Sequence, residues 1–427
     1  MPDILRLVRT SARPAVRVLV VGALAATLAA CSDGGSGGDG SGSGSGTLQY
    51  PTSGDPGVAE WQPVAADRVV EECGLDPELL AQADARIGRP WAVVRYGKLC
   101  HEHYPEGPAQ VDEPAENFSA TKTLGALVTG VAAYQTRDLP RDGRKTGPIL
   151  ADDRVDHWLD EFSFNPDAQL EHVLAMIAHN EDLSYGRRGF QYDTVGTVQI
   201  NRLNDVIETA IAQDPERLGT TVEEFTQRFL FGPVGMRQSQ WSGGVPDKNF
   251  AFTWVSPVRD MARLGLLMLH GGLWSGERIL DEDWVYAMTH PSFEDTNPAY
   301  GYLTWLNTLE NDDGSERTFD CAPLSVNFEF PHGLSEATDC GFADPANCAQ
   351  EQDLGVWYAA GLFGQLVIGQ RGLDLVLVVK DFDAVGSAGD LWDIVRPALV
   401  ARDAEFAGNE AAFCEAYARG AYAPDLK

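Results

Sequence analysis

Lysine is scarce in this chain: there are six in 427 residues, and lysine and arginine together number 32 against 63 aspartates and glutamates, a formal charge of −31. So strong a deficit of positive charge argues against a nucleic-acid-binding surface and against adsorption to anionic lipid. It also repels anionic substrates unless a local cation receives them. Long apolar runs are missing too. Val18 to Ala30, broken only by Gly22 and Thr27, falls short of the roughly 20 residues that a bilayer-spanning helix needs. What remains is 44% hydrophobic residues in a chain of ample length, enough to bury one large core or two moderate ones, as a globular enzyme does.

Arg6, Arg9, Arg13 and Arg17 precede the short apolar run, the arrangement of a secretory signal peptide. The run ends Leu28-Ala29-Ala30-Cys31, which resembles a bacterial lipoprotein box. That resemblance implies cleavage before Cys31, lipidation of Cys31, and an exported, membrane-anchored protein of the cell envelope or periplasm, held by acyl chains at roughly 0.8 kcal/mol per buried methylene. Ser32 to Thr47 is almost wholly Gly, Ser and Asp, a composition that cannot bury enough surface to fold and acts as a flexible tether. Gly34 to Gly38 matches a G-x-S-x-G nucleophile motif by composition alone, since no strand precedes it and no helix follows. The expected organisation is a signal peptide over residues 1–30, a tether over 31–58, and one catalytic domain over 59–427 with a helical insertion at about 120–290.

Apart from Cys31, the cysteines are Cys73, Cys100, Cys321, Cys340, Cys348 and Cys414. An even number in an exported chain points to disulfides rather than a metal site. We expect Cys73 to pair with Cys100 and the late four among themselves.

Two strands are expected early, Trp91 to Tyr96 and Lys98 to Tyr104 around a Gly97 turn, after a helix from Asp76 to Ile87. Helical periodicity dominates the middle, in Ser119 to Ala133, Glu171 to His179, Val198 to Ala212 and Val258 to His270. Three more strands follow, Val356 to Leu362, Gln365 to Ile368 and Asp374 to Lys380, before a helix from Asp390 to Ala401. This order implies an α/β (α+β) fold: an antiparallel five-stranded sheet built from both ends of the chain, flanked by helices, with an all-helical domain inserted. The seam between sheet and insertion is the natural place for an active site.

Phe118-Ser119-Ala120-Thr121-Lys122 is the only S-x-x-K in the chain. At a helix start this spacing puts hydroxyl and amine on one face. A serine hydroxyl needs an adjacent base, and a lysine becomes one only when desolvated. The apolar Thr123-Leu124-Gly125-Ala126-Leu127 that follows supplies such burial. Downstream lie Tyr192-Asp193-Thr194 and Ala360-Gly361-Leu362-Phe363-Gly364-Gln365.

S-x-x-K, a Tyr-x-x element and a Gly-rich strand motif, in this order, resemble the penicillin-recognising serine hydrolases, the class C β-lactamase and penicillin-binding-protein-like family, in its esterase-type branch. Pro233 to Met236, Ser256 to Arg263, Gly271 to Trp274 and Tyr300 to Tyr302 add to the resemblance, which spans roughly Trp91 to Asp381. It implies Ser119 as nucleophile, Lys122 as general base and Tyr192 as proton relay, with the backbone N–H groups of Ser119 and Gln365 as the oxyanion hole. Thr194, Leu362, Phe363 and Gly364 would line the substrate site. No cofactor and no metal are implied. Thr194 replaces the family's usual Asn, and Leu362 replaces a Lys or His that would receive a carboxylate. Lys145-Thr146-Gly147 imitates the third motif but precedes Tyr192 and lies in a polar loop.

The expected activity is therefore cleavage of a small-molecule ester or amide through an acyl-enzyme. Arg187 and Arg188 could instead receive an anion, which keeps a β-lactamase or DD-peptidase acting on cell-wall peptides as the alternative. A non-catalytic binding module on the same scaffold is the third. His101 and His103 alternate on an expected strand without a third ligand at metal spacing, and His179 would matter only in a Ser-His-acid triad, a role that the lysine already fills.

Overall fold

Leu375-Val376-Leu377-Val378-Val379 is an unbroken apolar run, the pattern of a strand covered on both faces, and it lies inside a sheet as that pattern requires. The computed structural model describes residues 55–160, 164–179, 183, 194–241, 249–290, 292, 300–306, 356–370, 373–382 and 388–399. All belong to one compact unit, Thr47–Lys427.

The strands are β1 (Trp91–Arg95), β2 (Lys98–His103), β3 (Ala115–Glu116), β4 (Gln240–Trp241), β5 (Trp254–Ser256), β6 (Leu273–Trp274), β7 (Glu277–Arg278), β8 (Trp305–Leu306), β9 (Val356–Gly361), β10 (Gln365–Gln370) and β11 (Leu375–Val379). The principal helices are α1 (Pro77–Ile87), α2 (Thr121–Thr136), α3 (Thr194–Asn201), α4 (Leu203–Ile211), α5 (Val258–Leu269), α6 (Glu282–Thr289) and α7 (Ala388–Val395).

The main sheet runs β2-β1-β11-β10-β9-β8, antiparallel at every pairing. β1, from early in the chain, pairs with β11, from late in it, with Trp91 opposite Val379 and Arg95 opposite Leu375. The five expected strands are all present. The sheet has a sixth, β8, two residues long and too short to leave a periodic signal in sequence. β3, β5 and β4 form a small separate sheet beside the main one.

Alternation along the strands divides the core into two layers. Trp91, Val93, Leu377 and Val379 face one side, packed with Leu80, Ile87, Leu391 and Trp392 of α1 and α7. Ala92, Val94, Val376 and Val378 face the other, packed with α2, α5 and the helices between them. α5 lies so close to the sheet that a Cβ on Gly265 would sit 2.5 Å from Val376 Cγ1. α2 is buried almost all round, and its small residues admit large neighbours: Gly125 abuts Phe250 and Gly130 abuts Trp284.

Helix ends follow local chemistry. The Asp76 carboxylate accepts from the N–H groups of Glu78 and Leu79, Pro77 opens α1, and Gly88 closes it in the left-handed region. The helix expected over Glu171 to His179 is confined to Leu170–Leu174, because Met176 takes a φ of 60° and breaks the turn. Val198 to Ala212 forms parts of two helices, α3 and α4, divided at Arg202. The helix expected to run to Ala401 ends as α7 at Val395, followed by a 3₁₀ turn at Arg396–Ala398 where Pro397 offers no N–H.

Cys73 and Cys100 form a disulfide, as expected. Cys31, Cys321, Cys340, Cys348 and Cys414 lie outside the described residues. Among those described, no helix is long and apolar enough to cross a membrane.

Candidate active site

Ser119 sits in a 3₁₀ turn, Phe118–Ala120, that leads directly into α2. The turn is anchored on all sides. Asn117 N–H donates to Trp254 O at 2.9 Å, and Ala120 N–H to Asn117 O at 3.1 Å. Thr121 Oγ1, one residue further, accepts from Trp254 N–H at 3.0 Å. β5 therefore holds the Ser119 segment from both ends. Phe118 takes a φ of 46°, a conformation that a bulky residue adopts only where its surroundings force it.

One helical turn along, Lys122 Nζ lies 3.0 Å from Ser119 Oγ and 3.1 Å from Ala251 O. Only 4% of Lys122 is exposed. Burial lowers its pKa from the usual lysine range to about 7, because a charge is disfavoured where water cannot solvate it. An amine of this kind is partly neutral at physiological pH and can take a proton from the adjacent hydroxyl.

The β9–β10 hairpin forms the opposite wall. Gly361 lies against the turn that carries Ser119 so tightly that a Cβ there would be 2.1 Å from Asn117 O; glycine is required by contact with backbone. The turn continues through Leu362, Phe363 and Gly364, with Gly364 N–H donating to Gly361 O at 3.2 Å. Phe363 has a φ of 65° at a turn position that favours glycine. Its ring meets that of Phe118 edge-on, centroids 5.3 Å apart. Leu362 and Phe363 are 49% and 47% exposed, so the mouth beside Ser119 is apolar. Gln365 is fully buried opposite Gly361, and its amide donates to Asp381 Oδ1 at 2.6 Å.

The structure thus brings together Ser119, Lys122, Leu362, Phe363, Gly364 and Gln365. Thr194 is the first residue of α3. Tyr192, Arg187 and Arg188 lie outside the described residues.

Other candidates fall elsewhere. Lys145 is bound to Asp160 in a surface loop. His101 and His103 lie on the edge strand β2 and turn to the same carboxylate, Asp84 Oδ1 being 2.7 Å from His101 Nε2 and Asp84 Oδ2 3.6 Å from His103 Nδ1. Both line a groove of about 530 Å³ with Leu80 and Tyr104, at the edge of the sheet opposite β8. Among the described residues, no cluster of three His, Cys, Asp or Glu could hold a metal. Sequence reasoning missed Asn117, the Ala251 carbonyl, Lys380 and Asp381. Only Lys380 left a signal, as a lone charge ending an apolar strand in a lysine-poor chain.

No family model matches the chain, and no curated protein does. Solved structures do. A putative β-lactamase from Bacteroides dorei aligns with a TM-score of 0.50 at 16% identity, over 75% of this chain and 97% of that one. A family VIII carboxylesterase aligns with a TM-score of 0.50 at 11% identity, over 80% of this chain and 99% of that one. The chain has the β-lactamase/transpeptidase-like fold.

Proposed function

We propose that the protein is a serine hydrolase that cleaves carboxylic esters or amides through an acyl-enzyme on Ser119. The observation that carries this is the 3.0 Å approach of Ser119 Oγ to the buried Lys122 amine, nucleophile and base in hydrogen-bond reach. Lys122 takes the hydroxyl proton as Oγ attacks the acyl carbon, and Tyr192 relays that proton to the leaving group. Developing negative charge is received by the N–H groups of Ser119 and of the hairpin turn that ends at Gln365. The contact of Gly361 with Asn117 O, which joins those two backbone segments, supports this assignment.

The acyl group or leaving group is apolar and uncharged. Leu362 and Phe363 border the nucleophile where a carboxylate-binding cation would otherwise stand, and the whole-chain charge of −31 opposes an anion. The domain acts outside the cytoplasm, tethered through a lipid on Cys31. Metabolic labelling with a palmitate analogue tests the anchor: label that is lost in Cys31→Ala supports it, and an unlabelled wild type refutes it.

The activity is tested by pre-steady-state hydrolysis of p-nitrophenyl butyrate, with nitrocefin in parallel. We expect a burst of one equivalent of p-nitrophenol that Ser119→Ala abolishes, and no turnover of nitrocefin. Wild type and Ser119→Ala equally inert toward the ester and toward a fluorophosphonate probe would sink the hydrolase reading in favour of a binding module. Faster turnover of nitrocefin than of the ester would move the substrate class to β-lactams.

A further inference from the structure

Two of the chain's six lysines are buried beside the nucleophile, and the proposed chemistry uses only one. The other, Lys380, follows the last residue of β11 and is 3% exposed. Its Nζ donates to Ala115 O at 2.8 Å and to Asn117 Oδ1 at 2.7 Å. Ala115 belongs to β3, and Asn117 is the fully buried residue that opens the turn carrying Ser119. The Asn117 amide is used from its other end as well, where Nδ2 donates to Ser256 Oγ at 2.8 Å. Lys380 N–H donates to Pro90 O at 3.0 Å, so the backbone that carries the amine is itself fixed at the start of β1.

The next two residues reach the opposite wall of the same site. Asp381 Oδ1 accepts from the Gln365 amide at 2.6 Å, and Phe382 N–H donates to Gly364 O at 3.3 Å. Three consecutive residues thus hold both halves of the site, Lys380 the nucleophile's turn and Asp381 and Phe382 the hairpin.

We infer that Lys380 is a positioning residue for the proposed hydrolysis, acting through Asn117 to hold Ser119 at a fixed place relative to Lys122 and the β9–β10 hairpin. The inference rests on the hydrolase reading for its kinetic consequences but not for its geometry. A buried amine is a costly way to tie two segments of backbone, since a lysine placed out of water loses its hydration. Burial lowers its pKa to about 7, against the opposing pull of Asp381 and Glu116. A neutral amine has two N–H donors and faces two acceptors, so both donors are satisfied when the proton is absent. Lys380 Nζ is thereby committed to Ala115 and Asn117, which separates its role from that of Lys122, whose Nζ is within reach of Ser119 Oγ.

The test uses Lys380→Met, Asn117→Ala and the double variant in the full chain. A shift of about 1 Å at a reacting atom lowers rates by as much as about 100-fold, so we expect Lys380→Met to slow the burst-phase acylation rate by about 10- to 100-fold, with the half-saturating ester concentration of that burst rate changed by less than about twofold. Because both residues act through one connection, the double variant is expected to be no slower than the slower single variant. Unchanged acylation in Lys380→Met, or losses that multiply in the double variant, would overturn the inference. An inert wild type fails the hydrolase reading instead, and the positioning role is then read from Lys122. With lysine ¹³C-labelled at Cε, its titration midpoint is expected to rise by about one pH unit in Lys380→Met as water enters the loosened turn. An unmoved midpoint overturns the inference without any reference to activity. Lys380→Gln, which keeps a polar group in the buried position, replaces Lys380→Met if the latter does not fold, with the same expected outcomes.

Discussion

Lys122 concentrates the electrostatics of the proposed reaction in one atom. Desolvation lowers its pKa to about 7, and only the neutral amine accepts the Ser119 proton. The sign of the pH dependence follows. As pH falls through 7 the amine is protonated and acylation slows; as pH rises above 7 the rate climbs to a plateau. We expect log kcat/KM for a neutral ester to rise with unit slope below pH 7 and to level above it. The profile from pH 5 to 9 checks this, and a rate still climbing with unit slope at pH 9 would mean that burial does not lower the pKa of the base. Lys122→Arg keeps the charge but cannot deprotonate. It is expected to lose about 10²- to 10⁴-fold in kcat/KM, the usual worth of a positioned general base. Ala251 O, 3.1 Å from Nζ, gives the neutral amine a partner for one of its protons and leaves the lone pair for the serine.

At the scale of elements, the disulfide joins the entry and exit of one supersecondary unit: Cys73 before α1, and Cys100 in β2 after it, 27 residues apart. Closing a loop of that length in the unfolded chain removes entropy worth about 3–4 kcal/mol in the simplest account. Both sulfurs lie in the core layer formed by α1, α7 and the outer face of the sheet, away from Ser119. The double variant Cys73→Ser/Cys100→Ser is therefore expected to unfold at lower urea concentration, by about 2–4 kcal/mol, with acylation unchanged in the folded protein. Slower acylation at full folding would show instead that the α1 layer supports the site. The same region shows how sequence translated into structure. The helix expected from Asp76 to Ile87 forms as α1, and the apolar runs of β1, β10 and β11 announced the sheet, because periodicity and burial on both faces leave local marks. Ser119 and Lys122 were legible for the same reason, being one turn apart on one helix start. The contacts of Asn117 with Lys380 and with Gly361 were not legible. They join residues separated by 263 positions in one case, and nothing local to either partner records such a meeting. β8 escaped because two residues cannot show a period.

Across the whole molecule the imbalance of charge is the dominant electrostatic fact. Sixty-three acids against 32 bases leave 31 carboxylates beyond any possible one-to-one pairing. Several of the pairs that do form are exposed, such as Arg144–Asp160, Arg154–Asp167 and Arg228–Glu224, and pairs of that kind contribute only about 0–1 kcal/mol each. The better-buried pair, Arg259 with Glu102, is one that added salt screens far less. Salt therefore has two opposed effects of unequal size. It weakens a set of surface attractions that contribute little, and it weakens a repulsion spread over the whole acidic surface, which the compact state concentrates and the unfolded chain relieves. Raising NaCl from 0.1 M to 1 M shortens the screening length from about 10 Å to about 3 Å. We expect Tm at pH 7 to rise over that range, most steeply at its low end. A Tm that falls would show that the exposed ion pairs outweigh the surplus charge, and a flat response would place the excess carboxylates too far apart to repel one another in the folded protein.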